Sequence, residues 1–108
     1  MNELNPLAVV ITTVESEQDA EALAKSLINQ SLGACVQIDG PITSHYRWSG
    51  KVERAKEYRL TIKTTKQAWP ALKEKLAKMH PHEEPQIVMI SVDDCSDGYR
   101  DWVVDQTT

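Results

Sequence analysis

The chain has 108 residues, the length of one domain, and its 12 basic and 16 acidic side chains give a net charge of -4. Because no basic block occurs, the sequence argues against nucleic acid as a partner. The longest apolar run is too short to span a bilayer, and residues 1–6 lack the positive charge of a secretory signal, so we predict a cytoplasmic protein without a membrane segment.

The first third of the chain predicts a strand, a helix and a second strand. Leu7–Val14 is apolar and β-branched without polar alternation, which is typical of a central strand covered on both faces. Ser16 can cap a helix, and we predict that Gly33 ends it. Residues 34–38 then predict a second strand. The apolar positions of the helix recur on one face, at Ala20, Leu23, Ala24, Leu27 and Ile28.

A long hairpin follows. Residues 42–48 alternate between two faces, with Tyr46 and Trp48 on one and His45 and Arg47 on the other. Ser49-Gly50 predicts a tight turn, and the chain returns through residues 52–64. Residues 55–57 break the alternation, so we predict a bulge there.

The last third predicts a helix, a strand and a short final helix. The first helix begins just before Pro70, which is tolerated only in the first turn, and His80-Pro81 ends it. Its buried positions are Leu72, Leu76 and Met79. Residues 86–92 predict a strand, and Asp97-Gly98 opens the final helix. The order β-α-β-β-α-β with an added helix predicts an α+β, ferredoxin-like sandwich forming a single domain over residues 1–108.

This architecture needs a partner. Two helices cover one face of such a sheet, whereas the first strand carries large apolar residues on both faces. Closed symmetric association would cover the second face and the long hairpin edges. From the periodicity alone we predict that the protein is not a monomer.

The segment His80-Pro81-His82-Glu83-Glu84-Pro85 holds two imidazoles and two carboxylates between prolines. These groups suit Cu(II), Zn(II) or Ni(II), so His80, His82 and Glu83 are the predicted metal ligands. We expect a modest, pH-dependent site on which folding does not depend. A histidine at a helix end, followed by a solvated acidic loop, would explain the same residues without a metal.

Other candidate chemistry is weaker. Cys35 and Cys95 have no CxxC spacing and are predicted to be reduced, and Cys35 is expected to be a core residue rather than a Cu(I) ligand. Residues 93–98 resemble the start of a calcium loop, but its twelfth position, Val104, cannot supply a carboxylate. Neither a glycine-rich phosphate loop nor a nucleophile and base pair occurs, so we predict that the protein is not an enzyme.

Six short motifs together resemble one family. On them the chain closely resembles the CutA family, the divalent-cation tolerance proteins, from about residue 7 to residue 103. The resemblance implies a homotrimer that is associated with tolerance of copper and other divalent cations, with Cu(II) or another divalent cation as the expected ligand. The motifs are Gly33-Ala34-Cys35-Val36, Pro41-Ile42-Thr43-Ser44, Tyr46-Arg47-Trp48-Ser49-Gly50-Lys51, Ile62-Lys63-Thr64, the His80 to Pro85 segment, and Tyr99-Arg100-Asp101-Trp102-Val103.

The resemblance also implies a binding cleft between subunits. The family's matching residues cluster there, which in this chain predicts Tyr46, Trp48, Lys63, Tyr99 and Trp102. Packing in the trimer interface is the alternative for each of them. Trimeric PII signal proteins look similar in architecture and bind small effectors between subunits, so a PII-like regulatory trimer is the alternative function. The chain departs from the family where His82 replaces a common tyrosine, and where Met79 and Thr12-Thr13-Val14 lack a histidine and a thiol that some members carry.

Overall fold

The computed structural model describes residues 5–108, so residues 1–4, which contributed to the secretory-signal argument, lie outside it. The elements are β1 (Leu7–Val14), α1 (Glu17–Asn29), β2 (Cys35–Trp48), β3 (Lys51–Thr65), α2 (Trp69–Met79), β4 (Val88–Ser91) and α3 (Asp97–Gln106). The strands form one antiparallel sheet in the order β2-β3-β1-β4, which is the split βαβ arrangement and confirms the predicted element order. No described helix is both long and apolar enough to cross a membrane.

β1 organises the sheet because it pairs with β3 on one side and with β4 on the other. Val10 and Val14 point from β1 toward α1 and α2 and are fully buried. Burying each such side chain contributes about 1.5–3 kcal/mol. The core between the sheet and these two helices consists of Val10, Val14, Ala20, Leu23, Leu27, Leu60, Ile62, Leu72 and Leu76.

The predicted cap of α1 is confirmed, but its predicted end is not. The Ser16 hydroxyl accepts a hydrogen bond of 3.1 Å from the Asp19 amide. At the other end Ser31, not Gly33, adopts the left-handed conformation, with φ 57°. Gly33 is needed for packing instead, because a Cβ there would lie 2.9 Å from Ile62 Cγ2. Ile28 is exposed, so it does not belong to the buried face.

The two strands predicted at residues 34–38 and 42–48 are one strand, β2, with a bulge between them. Asp39 pairs with Arg59, whereas Ile42 pairs with Glu57, so three steps along β2 match two along β3. The predicted bulge at residues 55–57 was therefore placed on the wrong strand. The extra residue falls at Gly40-Pro41, at the sheet edge, where a proline costs no ladder hydrogen bond.

The bulge reverses the alternation of β2. Before it, Ile38 is opposite Leu60 and faces the helices. After it, Ile42 is opposite Glu57 and faces the other side, as do the even-numbered residues that follow. The predicted turn is confirmed, since Ser49 and Gly50 both have positive φ, 52° and 78°.

α3 covers only part of the face that lies away from α1 and α2, which we call the open face. It packs against β1 and β3, and there the opposed residues Leu7 and Thr65 are buried. Farther along, Val9 pairs with Ile90 and Ile11 with Val88. Val88 and Ile90 are 43% and 48% exposed, and Val9 and Ile11 are half-buried. These four residues form an apolar patch, which confirms that β1 presents apolar side chains on both faces.

The junction between α2 and β1 is fixed by His80, which is buried. Its Nε2 lies 2.8 Å from the Thr13 carbonyl oxygen and 3.0 Å from Thr12 Oγ1, and its Nδ1 accepts a 3.1 Å hydrogen bond from the His82 amide. Because a carbonyl oxygen can only accept, Nε2 must carry the proton and Nδ1 the lone pair. The neutral imidazole therefore ties the end of α2 to the end of β1.

We expect His80 to make stability fall in mild acid. Burial lowers the pKa of His80 below 6.5. The hydrogen bond to Thr13 raises this pKa but does not cancel the effect of burial, and the neighbouring His82 lowers it further. The unfolded chain then binds a proton that the folded chain does not, so the stabilisation is present above about pH 6.5 and is lost as the pH falls. Between about pH 7 and 5, the free energy of unfolding measured in urea should fall less in His80→Gln than in wild type. His45→Gln, a control at an exposed position, should lose as much free energy of unfolding as wild type. If the free energy of unfolding had the same dependence on pH in all three proteins, His80 would be ruled out as the cause.

We also expect the bulge to require glycine at position 40. Gly40 has φ 153°, and a Cβ there would lie 2.7 Å from Tyr58 Cδ2 and 2.9 Å from the Glu57 carbonyl oxygen. Gly40→Ala should therefore lower the free energy of unfolding by about 2 kcal/mol or more in urea titrations. Gly98→Ala is the matched control, because a Cβ at this helical position meets nothing within 4 Å. A loss no larger in Gly40→Ala than in the control would contradict this account of the bulge.

Candidate functional site

The open face carries a cavity of about 650 Å³ where the end of β1, the β2–β3 hairpin and the loop after α2 meet. The bulge is the reason that Ser44, Tyr46 and Trp48 reach it, because it turns the even-numbered residues of β2 toward the open face. Tyr46 and Trp48 are 45% and 46% exposed there, so the cavity has a half-exposed aromatic wall.

The cavity is negatively charged. Four carboxylates line it, from Glu15, Glu57, Glu83 and Glu84, whereas no Lys or Arg belongs to its described lining. Glu57 Oε1 accepts a 2.6 Å hydrogen bond from the Ser44 hydroxyl, and this bond holds the carboxylate of β3 beside β2 on the open face. A concave surface with one sign of charge concentrates ions of the opposite sign, so the cavity favours cations.

His82 forms the side of the cavity nearest to β1. Its Nε2 lies 3.3 Å from Glu15 Oε1, and this nitrogen is shielded from solvent yet makes no hydrogen bond within residues 5–108. The centroid of the His82 ring lies 4.8 Å from that of the His80 ring. His80 Nδ1 also accepts a hydrogen bond from the His82 backbone amide. His82 therefore has a fixed backbone and an unused ring nitrogen beside a carboxylate.

The three predicted metal ligands differ in their surroundings. The Nδ1 lone pair of His80 accepts the hydrogen bond of the His82 amide, and its Nε2 proton is shared by Thr12 and Thr13, so a metal ion could bind His80 only in place of these hydrogen bonds. Glu83 is exposed on the rim of the cavity. No three His, Cys, Asp or Glu side chains among residues 5–108 are grouped closely enough to hold a metal ion. Cys35 and Cys95 are free and half-buried, and Cys35 is not part of the buried core to which it was assigned.

Glu15 is the site residue that the sequence did not indicate. It follows β1 and precedes the capping Ser16, and it meets His82 only because His80 ties the loop after α2 to the end of β1. No local pattern connects residues 15 and 82. The sequence feature that could have indicated this contact is the pair of polar threonines at the end of an apolar strand, because these residues form hydrogen bonds with the buried His80 imidazole.

The five predicted cleft residues lie in two groups within one protomer. Tyr46 and Trp48 line the cavity, whereas Lys63 is opposite Cys35 at the far end of β2 and donates a 2.8 Å hydrogen bond to Gln37. Tyr99 and Trp102 lie on α3 with ring centroids 5.7 Å apart. The length of β2 separates the groups by roughly 40 Å. A cleft lined by all five needs two subunits and stays a prediction.

α3 lies near the start of β2, because Tyr99 of α3 is close to Cys35. Burial raises the pKa of Tyr99 above 10, and the nearby Cys35 thiol raises it further. Tyr99 nevertheless remains 38% exposed and Trp102 44% exposed. The second group is therefore a partly uncovered aromatic surface, like the first.

Known proteins match this chain over nearly its whole length. The family model described as CutA1 divalent ion tolerance protein matches residues 8–106. The divalent-cation tolerance protein CutA of Thermus thermophilus is 41% identical over 99 residues, covering 92% of this chain and 96% of that protein. The CutA of Pyrococcus horikoshii is 34% identical, covering 94% and 98%.

The fold agrees with the sequence comparison. The structure of CutA from Synechococcus elongatus superposes with a TM-score of 0.92 at 35% identity, over 98% of this chain and 94% of that one. The split βαβ sheet, the added α3 helix and the match over residues 8–106 lead to one conclusion. The chain belongs to the CutA1 divalent ion tolerance protein family.

Proposed function

We propose that this protein is a non-enzymatic, cytoplasmic homotrimer that takes part in divalent-cation tolerance by binding a cation, Cu(II) above others, weakly and reversibly in the cavity. The observation that carries the proposal is the unused His82 Nε2, 3.3 Å from a Glu15 oxygen, in a cavity whose charged lining is mainly acidic.

The apolar patch supports the homotrimer. Val9, Ile11, Val88 and Ile90 form a continuous surface on the open face, and such a surface is stabilised by covering it. The two aromatic groups, at opposite ends of β2, would also meet if the hairpin of one subunit contacted α3 of the next. Contacts between unlike surfaces can close into a ring, and the resemblance to CutA proteins implies a ring of three subunits.

The spacing of His82 and Glu15 supports the metal site. An imidazole nitrogen and a carboxylate oxygen that bind the same ion at about 2.0–2.2 Å each lie about 3 Å apart, so the pair needs little movement to bind one. Two protein ligands leave the remaining positions to water or to Glu83 on the rim. Such a site is weak, and copper should bind it more tightly than zinc.

Ile90→Asp tests the trimer. A carboxylate placed in the covered patch would be left unpaired in an apolar interface, so we expect this variant to dissociate or to unfold. Ile28→Asp is the matched control, because Ile28 is 43% exposed on α1 and Ile90 is 48% exposed on the patch. Sedimentation equilibrium should give three chains for wild type and for the control. A monomeric wild type, or an intact trimer in Ile90→Asp, would contradict the proposed assembly.

Copper titration tests the site. We expect isothermal titration near pH 7 to show a loss of at least about tenfold in affinity in His82→Gln, and a clear loss in Glu15→Gln. Affinity in wild type should fall as the pH is lowered, because the proton competes with the metal for imidazole. Adding a chelator should leave the melting temperature unchanged, since no core group binds the metal.

His45→Gln is the control for the copper experiment. His45 lies on β2 beside the cavity, but its side chain is exposed on the other face of the hairpin and forms no ion pair with a carboxylate among the described residues. We expect wild-type copper affinity in this variant. Equal affinity and stoichiometry in wild type and His82→Gln would remove the His82–Glu15 pair as the metal site.

A further inference from the structure

We propose that one face of the β2–β3 hairpin binds an acidic segment of a partner protein in an extended conformation. The surface consists of Arg47, Arg54 and Lys56, and we call it the basic ribbon. It lies on the side of the sheet that carries α1 and α2, and none of its residues lines the cavity. The proposal is therefore independent of copper binding.

Strand pairing brings these three cations together, although the sequence contains no basic block. Arg54 lies opposite His45 and Lys56 opposite Thr43, so all four residues share one face. Arg47 follows His45 on that face and is a diagonal neighbour of Arg54, at a distance of about 7–8 Å. This spacing lets each cation hold a separate carboxylate of one short segment.

The bulge of β2 determines that Arg47 joins this surface. Tyr46 pairs with Glu53 and Ile42 with Glu57, so both glutamates lie on the open face. If β2 had no extra residue, Arg47 would lie on the open face as well, beside these two carboxylates. The basic ribbon is therefore on the face opposite to the glutamates of the hairpin.

Within residues 5–108, no carboxylate forms an ion pair with the basic ribbon. Of the four arginines in the chain, Arg59 and Arg100 each pair with aspartate, whereas Arg47 and Arg54 have no such partner there. Neighbouring like charges on one face of a strand pair repel each other. An anionic segment laid across the basic ribbon would relieve this repulsion and contact three cations at once.

The basic ribbon is accessible in the protomer and in the proposed trimer. Its three side chains are exposed, and the proposed subunit contact uses the aromatic side of the hairpin, which faces the other way. Val52, opposite Arg47, is 69% exposed beside the cations and offers an apolar contact. Because the surface is an exposed strand pair and not a cavity, it fits a macromolecular partner better than a small molecule.

The spacing of the cations favours an extended segment. Arg54 and Lys56 are two residues apart on β3, about 6.8 Å, which is also the distance between alternate side chains of an extended peptide. Acidic residues at alternate positions of the segment can therefore each pair with one cation. The net charge of -4 opposes a long polyanion such as nucleic acid, whereas a short acidic segment contacts the basic ribbon alone.

Fluorescence anisotropy of the full-length protein with a labelled peptide of alternating glutamate and serine tests the proposal. At low salt, where surface charges are least screened, we expect saturable binding whose dissociation constant rises at least about fivefold in Arg54→Gln and in Lys56→Gln. Lys25→Gln is the matched control, because Lys25 is an exposed lysine of α1 that also forms no ion pair within residues 5–108. It should shift the constant by less than about twofold. Sedimentation checks that all variants share one assembly state.

Further ligands and one further variant separate the explanations. A peptide of alternating glutamine and serine should not bind, and a single-stranded oligonucleotide of the same net charge as the acidic peptide should bind more weakly than it does. His82→Gln should keep wild-type affinity for the acidic peptide, so a failure of the copper site would leave this test intact. No saturable binding of the acidic peptide at millimolar concentration, an equal loss in Lys25→Gln, or equal binding of the oligonucleotide would each overturn the proposal.

Discussion

One extra residue in β2 decides what each side of the hairpin presents. The bulge at Gly40-Pro41 shifts the pairing between Asp39 and Ile42, and every later side chain of β2 changes face. Without the shift, Tyr46 and Trp48 would lie on the helix side with Ile38. With it, these aromatic residues join Glu57 on the open face, whereas Arg54 and Lys56 lie opposite His45 and Thr43 on the other face. The bulge therefore brings the aromatic residues of β2 to the face on which Glu57 of β3 lies, and it gives the cavity its aromatic lining.

The sequence predicted the features that depend on neighbouring residues. The Ser16 cap, the Ser49-Gly50 turn and the start of α2 at Pro70 each follow from a few adjacent positions, and all three are confirmed. The bulge was placed on the wrong strand, because a break in alternation does not reveal which partner carries the extra residue. Ser31 shows a similar limit, since a serine took the left-handed position for which a glycine was available two residues later.

The site was harder to predict because it depends on residues far apart in the chain. His80 has the chemistry of a metal ligand, and its contact with Thr12 and Thr13, which ties the end of α2 to β1, could not be predicted from the sequence. The same contact brings Glu15 to His82. The apolar patch and the cavity share the open face, so assembly and ligand binding concern neighbouring parts of one surface. The proposed subunit contact would thus influence which molecules reach the cavity.

The pairing of β1 also affects how the protein is made. Val10 pairs with Ile62 and with Met89, so the central strand is synthesised well before either of its partner strands. The β2–β3 hairpin, closed by a two-residue turn, can form from local contacts alone. β1 must wait as an apolar segment until β3, and then β4, have been synthesised. We therefore expect long-range loop closure to slow folding, and we expect the unpaired first strand to be the part of the nascent chain most prone to aggregation.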